Sequence, residues 1–220
     1  MRHWESFGLE DFLASHLRIR IVEIDSDKVE LAGEYHLKAQ LAGSQLVDRT
    51  YQIRFVCPRD YPRELPKVFD EEGFLPWSEE YHTYSDGSFC LGSELKLKSI
   101  LRDDHSFTAF FQKIVDPFLY GVTHRLEFGN FPNGELAHGE QGLIDDYGEM
   151  FSLTGKDAVL RAFRALGKRK REANKLSCPC GCHRRLGCCN YRFVLNQFRY
   201  VERRRWFKRH LEDYFIIQSK

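Results

Sequence analysis

The 220-residue chain lacks the features that mark membrane, exported and low-complexity proteins. It has no apolar run near the roughly 18 residues that a membrane span needs. Its opening residues, MRHWESFGLEDF, contain no apolar signal-peptide core. No segment is repeated, and none is of low complexity. We therefore expect a cytoplasmic protein that binds no membrane.

The expected location also bears on the seven cysteines. Disulfide frameworks are rare in the reducing cytoplasm, so we do not expect one here. Metal binding or catalysis remains as the role of these thiols. The composition predicts a hydrophobic core, because 42% of the residues are hydrophobic and 14% aromatic, as in soluble globular proteins.

The net charge of +1 hides an uneven distribution along the chain. Residues 161–220 hold 17 of the 33 lysines and arginines but only four of the 32 acids. That segment therefore carries +13 and the preceding residues −12. Such a division predicts either two separate functions or a basic tail that folds against an acidic body.

Alternation of apolar and polar residues predicts strands in the first third of the chain. In KVELAGEYHLKAQL, the odd positions from Val29 to Leu41 are mostly apolar and the even positions are polar. VDRTYQIRFVC repeats the pattern and RIRIVEI is a shorter example. Short links between these runs predict an antiparallel meander, and KVFD at residues 67–70 is a candidate fourth strand.

Helical spacing dominates after residue 106. Apolar residues from Phe107 to Val122 recur at three- and four-residue intervals, which predicts an amphipathic helix with Ser106 as its N-cap. Pro117 is expected to kink or shorten that helix. A loose stripe from Trp4 to Leu17 predicts an N-terminal helix, and LIDDYGEMF and KDAVLRAFRAL predict further short helices. The fold class is therefore α+β.

One cysteine lies in a loop, within YSDGSFCLGSE. Cys90 follows the turn-forming pair Asp86-Gly87, so the sequence predicts an accessible position for it. A reachable thiol suits a nucleophile, and the alternative is a small apolar residue packed in the loop. Cys57, by contrast, ends a strand on its apolar face and is predicted to be buried.

Two motifs in this order resemble those of the ubiquitin-conjugating (E2) enzymes. The first is a Tyr-Pro-x-x-x-Pro element and the second a loop of the type His-…-Asp/Asn-Gly-x-x-Cys-Leu; the matching residues are Tyr61, Pro62, Pro66, His82, Asp86, Gly87, Cys90 and Leu91. The similarity covers roughly residues 1–125. It implies a UBC-like antiparallel meander sheet flanked by helices over residues 1–155, with Cys90 as the thioester-forming nucleophile and His82 and Asp86 supporting its loop.

The chain departs from the family at one functional position. E2 enzymes carry His-Pro-Asn before the cysteine, whereas this site reads His82-Thr83-Tyr84, so the Asn that stabilises the oxyanion is missing. Main-chain N–H groups near Cys90, or Ser88 and Ser93, are the expected substitutes. Within the family, the chain looks most like bacterial E2-like proteins of anti-phage operons, including short CBASS-type systems.

The resemblance implies a transferase and a set of partners. Cys90 would form a thioester with the C-terminal glycine of a ubiquitin-like protein or of a cyclic GMP-AMP-synthase-like nucleotidyltransferase, and would pass it to an acceptor. An E1-like activating enzyme is a further candidate partner. Two alternatives stay open: a non-catalytic E2-variant or RWD-like binding module, and a nucleic-acid-binding protein that acts through its basic tail.

Cysteines are densest in CPCGCHRRLGCC, residues 178–189. Thiolates at this density suit Zn²⁺, which takes four sulfur or nitrogen ligands. The spacing resembles the SEC-C zinc motif with a gap one residue shorter, which implies Cys178, Cys180, Cys188 and Cys189 as ligands of a structural ion. Cys182 and His183 are the alternates, and free or redox-active thiols are the other interpretation.

The zinc knuckle lies within a basic helical tail, predicted to span residues 156–220. GKRKRE and VERRRWFKRH flank the knuckle and interleave basic with aromatic residues. Such a tail can bind phosphate backbones and stack on bases. It can equally dock on a protein, which the helical spacing of its apolar residues favours.

Overall fold

The alternating segments form one antiparallel sheet in the computed structural model, which describes residues 2–132, 134 and 139–216. Its strands follow each other in the order β1-β2-β3-β4, as a meander. They span Ile19–Ile24 (β1), Lys28–Ala39 (β2), Val47–Pro58 (β3) and Lys67–Asp70 (β4). The predicted meander and the short fourth strand are thus confirmed. Pairs such as Leu31 and Phe55 lie opposite each other in the register and bury their side chains together.

Helices pack against this sheet. Those of the first 135 residues are Arg2–Glu5 (α1), Leu9–Ser15 (α2), Glu94–Ile100 (α3), Phe107–Phe110 (α4) and Asp116–Phe128 (α5). Ser106 caps α4 as predicted, since its hydroxyl accepts the Ala109 N–H at 3.1 Å. A π-helical turn at Phe111–Val115 joins α4 to α5, and Pro117 lies in the first turn of α5, where its missing N–H costs little.

The N-terminal helix differs from its prediction. Two short helices replace the single stripe because Gly8 adopts a left-handed conformation with φ of 70° between them. Leu17, expected on the buried face, follows α2 and is 88% exposed. Phe12 does enter the core, where its ring lies 4.7 Å from that of Phe111.

The chain divides into two compact units, residues 1–135 and 136–220. The second contains Gly139–Phe151 (α6), Lys156–Leu166 (α7), Lys170–Ala173 (α8), Tyr191–Phe198 (α9) and Arg204–Leu211 (α10). This division lies before α6, whereas the sequence placed it after residue 155. The reason is that Tyr147 of α6 packs edge-on against Phe163 of α7, at 4.8 Å, within the core of the second unit.

The helices of the second unit surround α7. Val159, Phe163 and Leu166 of α7 are fully buried, and Phe207 of α10 lies 6.0 Å from Phe163, ring to ring. The apolar spacing in the basic tail therefore serves packing inside this unit. No helix in the described ranges is long and apolar enough to cross a membrane.

Candidate functional site

The loop that carries Cys90 is attached to the free edge of the sheet. Phe69 of β4 bridges to Ser88, and the Phe89 N–H donates to the Val68 carbonyl oxygen at 2.9 Å. Phe89 is buried, and its ring stacks on Phe118 of α5 at 4.7 Å. The residue before Cys90 is thus anchored both by the sheet and by the core.

Asp86 organises the turn in front of Cys90. Its carboxylate accepts hydrogen bonds from the Ser88 N–H at 3.0 Å, from the Ser88 hydroxyl at 2.6 Å and from Lys67 Nζ at 2.8 Å. The Lys67 bond first, and then those from Ser88, hold the pKa of Asp86 well below its usual range. The side chain therefore acts as a charged acceptor that fixes the turn at neutral pH. The sequence did not indicate Lys67, at the start of β4, as a partner of Asp86.

Gly87 permits the same turn to close. Its φ of 81° lies in the left-handed region, and its N–H donates to the Tyr84 carbonyl oxygen at 2.9 Å. A Cβ at this position would come within 2.8 Å of the Trp77 ring. Any larger residue would therefore have to displace the indole as well as strain the backbone.

His82 contacts Cys90 through the backbone. It has φ of 53° and directly follows a 3₁₀ turn at Glu79–Tyr81. Its carbonyl oxygen accepts the Cys90 N–H at 2.6 Å, while its ring packs edge-on against Phe131 at 5.6 Å. This bond positions the main chain of Cys90 whatever the protonation of the imidazole.

Cys90 itself is a free, half-buried thiol. Phe89 before it is a core residue and Leu91 after it packs against the core, so the cysteine is held between two fixed neighbours. An open cleft of about 450 Å³ is lined by its neighbours Phe89 and Leu91, together with Lys67, Tyr84, Asp86 and Leu97 among others, whereas Cys90 is not one of the lining residues. Cys57 differs from Cys90 in its burial. It is fully buried, as predicted, and burial raises the pKa of its thiol.

The expected oxyanion donors can also be placed. The Ser88 hydroxyl donates to Asp86, and Ser88 is only 2% exposed, so this hydroxyl is engaged within the turn. Ser93 is buried at the start of α3. Both serines that the sequence offered as oxyanion donors are therefore buried.

A second cluster gathers four cysteines in the second unit. The sulfur atoms of Cys178, Cys180, Cys182 and Cys189 all lie within 4.8 Å of one another. Individual Sγ–Sγ distances are 3.2 Å between Cys178 and Cys180, and 3.7 Å between Cys180 and Cys189. Four thiolates around one Zn²⁺ stand about 3.8 Å apart, given Zn–S bonds of about 2.3 Å in a tetrahedron. The donor set therefore fits a four-coordinate ion.

A tight hairpin brings three of these cysteines together. The Leu186 N–H donates to the Leu176 carbonyl oxygen at 2.8 Å, and the Cys178 N–H donates to the Arg184 carbonyl oxygen at 2.8 Å. Gly181, with φ of 78°, turns the chain between the two arms. Because Cys178, Cys180 and Cys182 all lie on this turn, their thiols converge on one point.

The ligand set differs from the one implied by the SEC-C resemblance. Cys182, expected as an alternate, is in the group, whereas Cys188 is exposed and outside it. Cys188 ends a 3₁₀ turn at Leu186–Cys188, and Cys189 follows in an extended conformation. Neighbouring side chains in such a segment point apart, so only Cys189 faces the other sulfurs. His183, the second alternate, is exposed and has φ of 58°.

A nearby donor stabilises the thiolate of one cysteine in this group. The pKa of Cys182 is lowered to about 6, chiefly by the backbone N–H of Arg184. The Tyr191 N–H points to Cys189 Sγ at 3.5 Å, and Tyr191 also ties the segment to α6 because its hydroxyl donates to the Phe151 carbonyl oxygen at 2.6 Å. Burial, in contrast, raises the pKa of Cys178, which a bound cation would offset.

Two candidate sites thus lie in separate units: a constrained thiol in a loop beside a cleft, and a closed set of four sulfurs. The first suits reversible acyl transfer, and the second suits a structural metal. No protein-family model, curated protein or solved structure matches this chain.

Proposed function

We propose that this chain is an E2-like transferase in which Cys90 accepts a C-terminal glycyl group and passes it to an acceptor, in bacterial anti-phage defence. The donor would be a ubiquitin-like protein or the tail of a cyclic GMP-AMP-synthase-like nucleotidyltransferase. The main support is the placement of Cys90, a free, half-buried thiol between two core-anchored neighbours that themselves line an open cleft. The order of the elements, with a meander and then the cysteine loop, agrees with the E2 resemblance.

The proposed chemistry is two successive acyl transfers. The Cys90 thiolate attacks the carbonyl carbon of a donor thioester held by an activating enzyme, and the thiolate of that enzyme leaves. An acceptor amine then attacks the new thioester, the Cys90 thiolate departs, and the amine gives up a proton to solvent or a base. Electrons balance in both steps without an oxidant or reductant.

His82 and Asp86 have positioning roles in this proposal. The His82 carbonyl oxygen fixes the backbone of Cys90, and Asp86 fixes the turn that leads to it. Because Ser88 is engaged by Asp86, oxyanion stabilisation falls to main-chain N–H groups after Cys90. Gly92, whose φ is 128°, leaves the backbone there without a side chain to obstruct an approaching carbonyl.

We propose that the four-cysteine group holds a structural Zn²⁺. All four tetrahedral positions would be filled by Cys178, Cys180, Cys182 and Cys189, so no position remains for substrate. The ion would stabilise a hairpin that has little apolar side chain of its own.

The transferase proposal is tested by co-expression with the products of neighbouring genes, followed by mass analysis without reductant. We expect an adduct on the wild type that a thiol reductant removes, and the same adduct on Cys57→Ser, the buried control. Cys90→Ala should carry none. A bare wild type that still captures a partner protein would replace the transferase by the binding-module alternative.

A further inference from the structure

Two basic segments that are distant in the sequence come together in the second unit. One is Lys168–Arg171, which follows α7, and the other is Arg203–Arg205, at the start of α10. All seven side chains are exposed. We call these seven residues the basic surface.

Packing between α7 and α10 brings the two segments together. A Cβ added to Gly167 would lie 3.6 Å from the Lys208 backbone nitrogen, so the end of α7 runs along α10. Arg199, four residues before Arg203, ties this part of the chain to the first segment, because its guanidinium donates to the carbonyl oxygens of Leu166 at 3.0 Å and Lys168 at 2.9 Å. The surface is therefore built by the fold and is more than a run of charge in the sequence.

Among the residues that the structure describes, the charges of the basic surface are not neutralised by carboxylates. Elsewhere cations pair with acids, as Lys28 does with Glu23 at 2.5 Å and Lys67 with Asp86 at 2.8 Å. None of the seven side chains forms an ion pair with a carboxylate in the part of the chain that the structure describes. Residues 136–220 hold 18 of the 33 bases and nine of the 32 acids, a net +9, so a polyanionic partner fits this unit.

An exposed aromatic ring distinguishes between polyanions. Tyr200 is 78% exposed and follows Arg199, whose guanidinium is bound to the Lys168 carbonyl oxygen. Three residues further along the chain, Arg203–Arg205 line a recess of about 390 Å³. An exposed aromatic ring does not bind the carboxylates of an acidic protein, whereas a nucleobase stacks on such a ring. We propose that the basic surface binds the phosphate backbone of single-stranded nucleic acid, with Tyr200 stacking on a base.

The test uses the full chain and a fluorescent oligothymidylate about 20 nucleotides long, titrated over a salt series. The Arg203→Gln/Arg204→Gln/Arg205→Gln variant should reduce the slope of log K against log salt by about 2, since each lost phosphate contact on a single strand contributes about 0.7. Lys168→Gln/Arg169→Gln/Lys170→Gln should do the same from the other segment. Both should keep the wild-type metal content and circular dichroism.

A matched control removes the same charge from the first unit, at the exposed residues Arg20, Arg63 and Lys113. This Arg20→Gln/Arg63→Gln/Lys113→Gln variant should leave the salt slope unchanged. Tyr200→Ala should weaken binding about tenfold without changing the slope, and Tyr200→Phe should restore it, because stacking needs the ring and not the hydroxyl.

Three results would overturn the proposal. One is the absence of binding at about 50 mM salt, where phosphate contacts are strong. Another is an equal loss in the control variant, which would show that net charge alone matters. The third is competition by poly-glutamate of equal charge that is as effective as unlabelled oligothymidylate, which would assign the surface to acidic proteins.

Discussion

Cys90 and Cys57 differ in the properties that govern thiol reactivity. Cys90 is half-buried in a loop beside a cleft, whereas Cys57 is fully buried in β3, where desolvation raises the pKa of its thiol. The thiolate is the reacting species, so exposure favours reaction at Cys90, while burial and a raised pKa both disfavour it at Cys57. The sequence predicted this contrast because strand alternation put Cys57 on the apolar face and turn residues preceded Cys90.

Native alkylation measures that contrast. We expect iodoacetamide to modify Cys90 at least about 100-fold faster than Cys57, because reaction at Cys57 requires the sheet to open. Peptide mapping by mass spectrometry assigns each modified residue. Equal rates at the two positions, or a Cys90 that reacts only in denaturant, would show that Cys90 is packed in the loop.

Asp86 makes the stability of this loop depend on pH. Hydrogen bonds from Lys67 and Ser88 hold its folded pKa below that of the unfolded chain, about 3.9. A group with a depressed folded pKa contributes stability that is present above the unfolded pKa and is lost as pH falls through the folded pKa. Because the side chain is half-exposed, solvent screening limits this contribution to about 1 kcal/mol or less.

Asp86→Asn should remove that dependence. Between about pH 5 and pH 2 the wild type should lose more free energy of unfolding than Asp86→Asn does, since the amide has no charge to lose. Chemical denaturation at a series of pH values measures the difference. Asp27→Asn, at an exposed position, is the control and should follow the wild type. Parallel curves for wild type and Asp86→Asn would contradict the role given to the carboxylate.

At the scale of elements, the periodicity of apolar residues predicted the strands and helices that bury one face. The four strands and the helix that begins after Ser106 bury one face each. Burial of one face makes apolar residues recur every 2 residues in a strand and every 3.6 residues in a helix. The break in the N-terminal helix at Gly8 depends on individual backbone angles, and so does the presence of Cys182, and not Cys188, in the group of four sulfurs. Spacing carries no information on these angles, so the predicted N-terminal helix was wrong in detail, and the four clustered cysteines differ by one residue from the set implied by the SEC-C resemblance.

Two matched variants of the cysteine hairpin test whether Cys182 or Cys188 is a zinc ligand. Cys182→Ser should lower zinc affinity by more than about 100-fold, because loss of a direct ligand exceeds the 10- to 100-fold cost of losing an outer partner. Cys188→Ser should keep about one zinc per chain, since its side chain lies outside the group. Metal analysis of the purified proteins gives the answer. Zinc loss in Cys188→Ser with retention in Cys182→Ser would restore the set implied by SEC-C.

At the scale of the whole molecule, two units carry opposite charge and separate candidate sites. The uneven charge was visible in the sequence, but the position of the division was not, because α6 joins the second unit through Tyr147 and Phe163. Which helix packs on which depends on side-chain shapes that a one-dimensional pattern does not encode. The loop that carries Cys90, our proposed acyl-transfer site, and the group of four cysteines thus lie in different units.

Metal removal should affect one unit only. A zinc chelator should raise hydrogen exchange at the hairpin amides, such as those of Cys178 and Leu186, because bound metal supplies much of the stability of such segments. Strand amides of β2 and β3 should exchange as before, since the first unit has its own core. Added zinc should reverse the change. Faster exchange in the strands, or no change in the hairpin, would contradict a structural ion in the second unit.

The central claim is that Cys90 carries an acyl group, and the mass of the intact Cys90→Ser protein tests it most directly. An oxygen ester is more stable than a thioester, so this variant should trap the donor when it is co-expressed with the neighbouring gene products. We predict an added mass equal to one donor minus water, resistant to thiol reductant and mapped to position 90. An unmodified Cys90→Ser protein, together with a wild type that gains no adduct, would contradict the transferase account.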